Sequence, residues 1–293
     1  MLRILIGKSL LLQKFFRLPD DHYFEAELNR EIISVVRHQI FGDQGPRTSI
    51  EQIDEEELLK RSYAQYLCQW QLVNYPKARW LRAAISALAL PVLLLFWYGR
   101  YLWFFRLSHI KEKADAVVFQ HLTHFKSLAS GIISQEKIIY LSSRQTQLSM
   151  SDMIFLVTFL RKFPRCLFDP DFVLRIAYGI AVYSDAIQRY SPKSIIDFHE
   201  HSCSSSAVTA YCRLQGVRHI NVMHGDRAFV ADISFVVYDA FYVWGEYYKE
   251  LFCSLEAPPN QFVVHGNPVH WRLYEEVRGG GTGGPERCEL LHI

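Results

Sequence analysis

The sequence predicts a doubly wound α/β fold, in which helices cover both faces of a mostly parallel β-sheet. Two observations carry this prediction. Short runs rich in β-branched and aromatic residues recur between Ala114 and Pro268, and longer segments with helical periodicity separate them. Strands that alternate with helices are typical of parallel sheets, because each crossover between parallel strands is long enough to hold a helix. We therefore expect one α/β domain over residues 109–270.

Six strands are predicted in this domain. Each is a short run dominated by Val, Ile, Phe or Tyr, the composition that buried strands favour. The predicted strands cover residues 116–120, 137–141, 194–198, 219–223, 240–244 and 261–265.

Four helices are predicted between these strands. They cover residues 151–162, 172–190, 205–216 and 245–252. The second helix ends before Pro192, because proline disfavours helical backbone in the residue that precedes it. The third ends at Gly216, a residue type that readily adopts the left-handed conformation of a helix C-cap.

Residues 1–82 are predicted to be helical and to precede the α/β domain. Apolar residues recur at helical intervals after residue 50. The first eighteen residues place Arg3, Lys8, Lys14 and Arg17 among Leu, Ile and Phe. This pattern is typical of an amphipathic helix at a membrane surface, and equally of a helix packed on its neighbour.

Residues 83–108 form a hydrophobic segment that we expect to associate with a membrane. Residues 83–99 carry no charge, and as a helix they would reach about 25 Å, slightly less than the hydrocarbon core. Basic residues and a cluster of Trp and Tyr flank the run. Because Pro91 would kink a helix, a re-entrant or in-plane hairpin is as compatible with the sequence as a straight span. The alternative is a buried core helix.

Composition argues against several classes of function. The 293 residues are 50% hydrophobic, and the net charge of +2 gives no general attraction for nucleic acid. Six cysteines without a CxxC pair indicate reduced thiols in a cytosolic domain. The segment His199-Glu-His201, with Cys203, is the nearest approach to metal-ligand spacing, but its alternation does not define a closed ligand set. We expect no metal.

Polar residues follow four of the predicted strands. Ligands in parallel α/β sheets bind beyond the carboxyl ends of the strands, so these residues are the candidates for a functional edge. His224 has a pKa range suited to proton transfer, and Gly225 would let the backbone approach a substrate closely. The alternatives are a solvated strand-end histidine and an ordinary turn glycine. Beside His224, the candidates are His121, His199, Glu200, Gly225, Asp226, Arg227 and Glu246.

Six short motifs follow one another through the domain. In order they are Pro-Lys-Ser-Ile-Ile at 192–196, Glu200, Arg-Leu-Gln-Gly-Val at 213–217, Ile-Asn-Val-Met-His-Gly at 220–225, Tyr-Val-Trp-Gly-Glu at 242–246, and Val-Val-His-Gly-Asn-Pro at 263–268. This order resembles the N-terminal half of the GT-B glycosyltransferases that build bacterial surface polysaccharides. More distantly, it is similar to the polyglycerol-phosphate polymerases and the UDP-sugar 2-epimerases. The resemblance covers residues 114–271.

The resemblance implies a single Rossmann-like domain of GT-B type on the acceptor side of a two-domain cleft. His224 matches the cleft histidine that acts as general base toward an acceptor hydroxyl, and Glu200 would orient that imidazole or the acceptor. A nucleotide-sugar would be the donor co-substrate, with no cofactor, and a glycan or a lipid-linked molecule the acceptor.

Donor-binding groups belong to the second domain of GT-B enzymes. Residues 271–293 form a Gly-rich tail that contains no P-loop pattern. We therefore expect a truncated relative, or a chain whose donor domain is supplied separately.

Three hypotheses follow. The first is a membrane-associated glycosyltransferase of surface polysaccharide synthesis, or its acceptor-side half, with the catalytic domain in the cytoplasm. The second is a non-catalytic membrane-associated scaffold, or a degenerate GT-B remnant. The third is an enzyme similar to the UDP-sugar 2-epimerases, which is disfavoured because those enzymes are soluble and need both domains.

Overall fold

A computed structural model describes residues 26–73, 76–107, 113–119, 137–141, 144–223 and 225–267. The predicted N-terminal amphipathic segment and the Gly-rich tail lie outside these residues. So do two of the candidate site residues, His121 and His224.

Six strands form one parallel sheet, as predicted. They are β1 (Ala116–Phe119), β2 (Ile138–Leu141), β3 (Ser194–Asp197), β4 (Arg218–Val222), β5 (Ala240–Val243) and β6 (Phe262–Val264). The strand order is β2-β1-β3-β4-β5-β6, and every neighbouring pair is parallel. The chain leaves β1 toward one side of the sheet and returns on the other at β3, so the topological switch point lies between these two strands.

Alternation along the strands divides the hydrophobic residues between the two faces of the sheet. Val117 and Ile195 join a large core cluster, to which all the described helices of the α/β domain contribute. Val118 and Ile196 point the other way and belong to a second, smaller cluster. Within the described residues no helix contributes to that second cluster, so the predicted second helical layer stays a prediction.

Within the described residues, four helices accompany the strands and lie close to their predicted positions. They are α4 (Met150–Leu160), α5 (Pro170–Tyr190), α6 (Ser205–Leu214) and α7 (Glu246–Ser254). Ser149 and Asp152 form a capping box that starts α4. Helix α5 ends at Ser191, which has a φ of 40° and precedes Pro192. Gly216, just after α6, has a φ of 69°, as expected for a C-cap.

Two helices from the N-terminal part of the chain pack on the same core cluster. They are α1 (Ala26–Phe41) and α2 (Glu55–Val73). Asn29 of α1 accepts a hydrogen bond of 2.7 Å from the backbone N–H of Ala231. Ser62 of α2 accepts one of 2.9 Å from the N–H of Ala207 in α6. Both side chains are buried, so these bonds fix the position of the two helices on the α/β domain.

The hydrophobic segment lies in one long helix, α3 (Pro76–Leu107), which runs through Pro91. A hairpin, which the sequence left open beside a straight helix, is therefore wrong. Proline removes one backbone hydrogen bond and crowds the preceding turn, and contacts along the length of α3 with α5 hold the helix despite that loss. Residues Trp80–Phe104 are long and apolar enough to cross a membrane, and only 11% of the most apolar window is buried. The alternative of a buried core helix is therefore wrong as well.

Candidate functional site

The carboxyl edge of the sheet brings together residues that follow β3 and β4. Glu200 lies three residues beyond β3 and is completely buried. Arg227, which follows β4, places its Nε 2.5 Å from Glu200 Oε1, and its Nη2 contacts the same oxygen. The amide of Asn221, in β4, lies 3.4 Å from the other carboxylate oxygen. Two of the predicted site residues therefore form a buried ion pair.

The turn after β4 is tied to α7 through Asp226. The hydroxyl of Tyr248 donates a hydrogen bond of 2.6 Å to Asp226 Oδ1. Partial burial, together with this bond to a carboxylate, raises the pKa of Tyr248 to about 12. A Cβ added to Gly225 would meet Arg227 Nη1 at 3.6 Å, an ordinary contact. The described surroundings therefore do not require glycine at this position, and Gly225 fits the alternative of an ordinary turn residue.

Glu246 does not join this group among the described contacts. Its side chain is 65% exposed and pairs with Lys249, one turn along α7, at 3.1 Å. Exposed pairs of this kind stabilise a helix weakly. Tyr248, and not Glu246, links the β5 side of the edge to the turn after β4.

His199 lies at the topological switch point, where it meets Arg144. The guanidinium Nη2 of Arg144 is 3.1 Å from His199 Nδ1, and the guanidinium also lies over the ring of Phe119, the last residue of β1, at 5.6 Å. The amide oxygen of Asn221 accepts a hydrogen bond of 2.9 Å from the His199 backbone N–H. Arg144 was not predicted, although its position after the second predicted strand placed it at the same edge.

A cavity of about 50 Å³ opens beside this pair. It lies against the N-terminal end of α6, whose first backbone N–H groups have no partners within the helix. A Cβ on Gly179 of α5 would meet Ser204 Oγ at 2.8 Å, so glycine is needed here for the close approach of the two segments. The polar residues of its lining are Arg144, Tyr178, Tyr183, Asp197, His199, Ser202, Ser204 and Ser205.

A buried polar network forms the floor of this cavity. His219 Nε2 lies 3.2 Å from Asp197 Oδ2, and His219 Nδ1 lies 2.8 Å from the hydroxyl of Thr209. The hydroxyl of Tyr183 donates to the same Asp197 oxygen. Burial alone would raise the pKa of Asp197, but the charge and hydrogen bond of His219 outweigh it and hold this pKa below its ordinary value. Asp197 is therefore a buried carboxylate that the protein keeps ionised.

The fold separates the residues whose spacing came nearest to a metal motif. His201 lies 3.1 Å from Asp232 and is half exposed, whereas Glu200 turns inward to Arg227. Burial raises the pKa of Cys203 to about 11, which disfavours the thiolate that metals bind. Across the described parts of the chain, no three His, Cys, Asp or Glu residues are grouped as metal ligands.

A second and larger cavity lies away from this edge. Its volume is about 660 Å³, and it lies between the start of α2 and the end of α6. Three consecutive acidic residues, Asp54, Glu55 and Glu56, line it together with Lys162 and Arg213. An acidic lining disfavours a nucleotide phosphate.

Comparisons with protein-family profiles, with curated proteins and with solved structures each find no match for this chain. Functional assignment consequently depends on the sequence motifs and on the geometry of the carboxyl edge.

Proposed function

We propose that this protein is a membrane-associated glycosyltransferase, or the acceptor-binding half of one, which transfers a sugar from a nucleotide-sugar to a glycan or lipid-linked acceptor. One observation carries the proposal. Arg144, His199, Glu200 and Arg227 converge at the carboxyl edge of a parallel sheet beside its switch point. This is the position at which open α/β sheets bind ligands.

The size of the cavity favours the acceptor over the donor. A water molecule occupies about 30 Å³ in the liquid, so a cavity of about 50 Å³ fits a hydroxyl group but no nucleotide. Arg144 and the serine hydroxyls can donate hydrogen bonds to such a group. The donor would then bind across the cleft, on a second domain of the kind that the resemblance implies.

The proposed reaction uses His224 as general base. It would take the proton of the acceptor hydroxyl as that oxygen attacks the anomeric carbon, and the bond to the nucleotide diphosphate would break. Because Glu200 is paired with Arg227, we assign it a positioning role: it would hold Arg227 and the chain that follows β4. This refines the expectation that Glu200 orients the imidazole or the acceptor.

The proposal is tested by transfer of labelled sugar. The full chain is incubated with a panel of UDP-, CMP- and GDP-sugars and a bacterial lipid extract, and the labelled lipid is counted. His224→Ala should lower the rate by about 100-fold or more, because general base catalysis contributes on that order. His38→Ala, on the exposed surface of α1, is the control and should leave the rate unchanged.

Two results would contradict the proposal. Full activity of His224→Ala would show that His224 is not the general base. Absence of transfer both by the native chain alone and after addition of a bacterial cell extract that can supply a donor domain, with membrane binding retained, would instead favour the non-catalytic scaffold.

A further inference from the structure

Helix α3 has two faces of different character. One face packs along α5 from end to end, and the two helices run in the same direction. Three contacts mark its length: Ser86 Oγ lies 3.2 Å from Asp171 Oδ1, the rings of Trp97 and Tyr178 are 6.3 Å apart, and Arg189 lies over Phe104 at 4.3 Å. Because α5 is itself packed in the core, this face of α3 is fixed to the α/β domain.

The opposite face of α3 is apolar and exposed. Its side chains recur every three or four residues, which places them on one side of a helix. Leu88, at the centre, is 77% exposed. The face contains no charged residue over about 33 Å of helix. Its members are Leu81, Ile85, Leu88, Val92, Leu95, Phe96 and Trp103.

Helix α4 also exposes apolar side chains, namely Met150, Ile154 and Val157. The backbone N–H of Leu148, just before α4, donates to the carbonyl of Trp97 in α3 at 3.3 Å. An exposed apolar face as long as that of α3 is rare on soluble monomers and marks an interaction site.

The residues at the borders of the face indicate a lipid surface as its partner. Exposed tryptophans, Trp80 and Trp103, lie at its two ends, and tryptophan prefers the boundary between lipid headgroups and acyl chains. Arg82 and Arg100 flank the apolar stripe along the helix. Their charge complements an anionic headgroup.

The packed face argues against a helix that crosses the bilayer. A crossing would carry α5 into the hydrocarbon along with α3, including the charged residues Asp171, Arg175, Asp185 and Arg189. Burial of charged groups in hydrocarbon is strongly unfavourable. A helix lying in the plane of the membrane immerses only its exposed face.

We infer that α3 lies in the plane of an anionic membrane surface and immerses its exposed face at the boundary between headgroups and acyl chains. This inference rests on the membrane association within the proposed function and is independent of the transfer chemistry.

The position of α3 also relates the membrane to the site. Arg82 lies over the ring of Trp70 at 5.3 Å. The adjacent Gln69 donates a hydrogen bond of 2.9 Å to the carbonyl of His201, at the carboxyl edge of the sheet. The N-terminal part of α3 is therefore next to the proposed acceptor site.

Vesicle flotation tests the inference. The native chain should float with vesicles of phosphatidylcholine and phosphatidylglycerol, and less with phosphatidylcholine alone. Leu88→Glu combined with Val92→Glu should lower the partition coefficient at least about 10-fold, because two charges replace apolar contacts with lipid. Leu214→Glu, at the exposed end of α6, is the matched control and should bind as the native chain does.

Labelling distinguishes an in-plane helix from a span. Arg82→Cys and Arg100→Cys, each in a Cys253→Ser/Cys288→Ser background, are treated with a membrane-impermeant maleimide in inside-out membrane vesicles. An in-plane helix leaves both positions reactive from the same side. Protection of one of them until detergent is added would overturn the inference.

Light scattering without lipid tests whether the exposed face of α3 binds a second copy of the chain. A native dimer that the double glutamate variant converts to a monomer, together with unchanged flotation, would assign the face to a second copy and overturn the inference. The double variant should keep its transfer rate toward a water-soluble acceptor, so failure of membrane binding and failure of the transfer proposal are separable.

Discussion

Two buried arginine–carboxylate pairs occupy different parts of the molecule and are built differently. Arg61 and Glu57 lie one turn apart in α2, with Arg61 Nε 3.0 Å from Glu57 Oε1. Arg227 and Glu200 come from the ends of two strands, and the Arg227 side chain is 13% exposed against 1% for Arg61. The first pair is enclosed in the helical layer, whereas the second borders the edge where a ligand would bind.

The partners of Arg61 account for its enclosure. Beyond Glu57, its guanidinium donates to the carbonyls of Arg47 and Glu256 at 2.5 and 2.7 Å. Burial lowers the pKa of Arg61, and Glu57 offsets only part of that effect. Such a pair joins three segments of chain and is enclosed, so it does not face a ligand. A pair that borders a cleft can instead change partners when a substrate binds, and this difference separates a structural pair from a candidate functional one.

The largest effect is expected from Arg61→Met. The variant leaves the Glu57 carboxylate buried without its guanidinium, which should lower the free energy of unfolding by about 3–5 kcal/mol. Urea denaturation measures this change. Arg37→Met removes a half-exposed arginine 3.4 Å from Glu256 and is the control; its cost should stay below about 1 kcal/mol. Equal losses of stability in the two variants would contradict the distinction between the enclosed Arg61 pair and an exposed pair.

A smaller loss of stability is expected from Arg227→Met. Glu200 keeps the amide of Asn221, and the variant removes fewer buried hydrogen bonds than Arg61→Met, which also takes the donor from the carbonyls of Arg47 and Glu256. The cost should therefore be about 1–3 kcal/mol in the same urea experiment. Under conditions where both variants are folded, Arg227→Met should lower the rate of sugar transfer by more than Arg61→Met does. A variant that loses stability but keeps its full transfer rate would show that this pair, too, is only structural.

The smallest effect is expected in the pH dependence of stability, through Asp197 in the polar network beneath the cavity. The folded pKa of Asp197 lies below its ordinary value. Its stabilising contribution is therefore present above the unfolded pKa of about 3.9 and is lost as the pH falls toward the folded pKa. Asp197→Asn should flatten the acid side of the stability curve below about pH 4, as followed by thermal unfolding. An unchanged acid slope would mean that Asp197 is not ionised in the folded protein.

The strands were predictable because buried strands are rich in apolar residues, and these runs are visible in the sequence. Runs such as 116–119 and 240–244 carry apolar residues at consecutive positions, which a parallel sheet buried on both faces requires. The helix ends at Ser191 and Gly216 were predictable for local reasons, namely a following proline and a left-handed glycine.

The long helix α3 shows where local rules fail. Pro91 indicated a break because the backbone cost of proline is local, whereas the contacts of Ser86 and Trp97 that hold the helix come from residues distant in sequence. An almost uniformly apolar run such as residues 83–99 did not indicate a packed and an exposed face, and only the structure shows that α5 covers one of them.

The candidate site was predictable as an edge but not as a set of pairs. Glu200 and Arg227 were both assigned to it, yet their ion pair depends on side-chain directions that the sequence does not record. Arg144 was missed because a lone basic residue after a strand has no motif. The role of His224 stays a prediction, as does that of His121.

Within the proposed function, the contacts of Arg82 with Trp70 and of Gln69 with His201 bear on how an acceptor would reach the site. If α3 rests on the lipid as inferred, these contacts would hold the carboxyl edge of the sheet near the membrane surface. A lipid-linked acceptor would then arrive by lateral diffusion and present its polar end without being pulled from the bilayer. The search for substrate becomes two-dimensional, and the surface density of the acceptor, more than its bulk concentration, would set the rate of encounter.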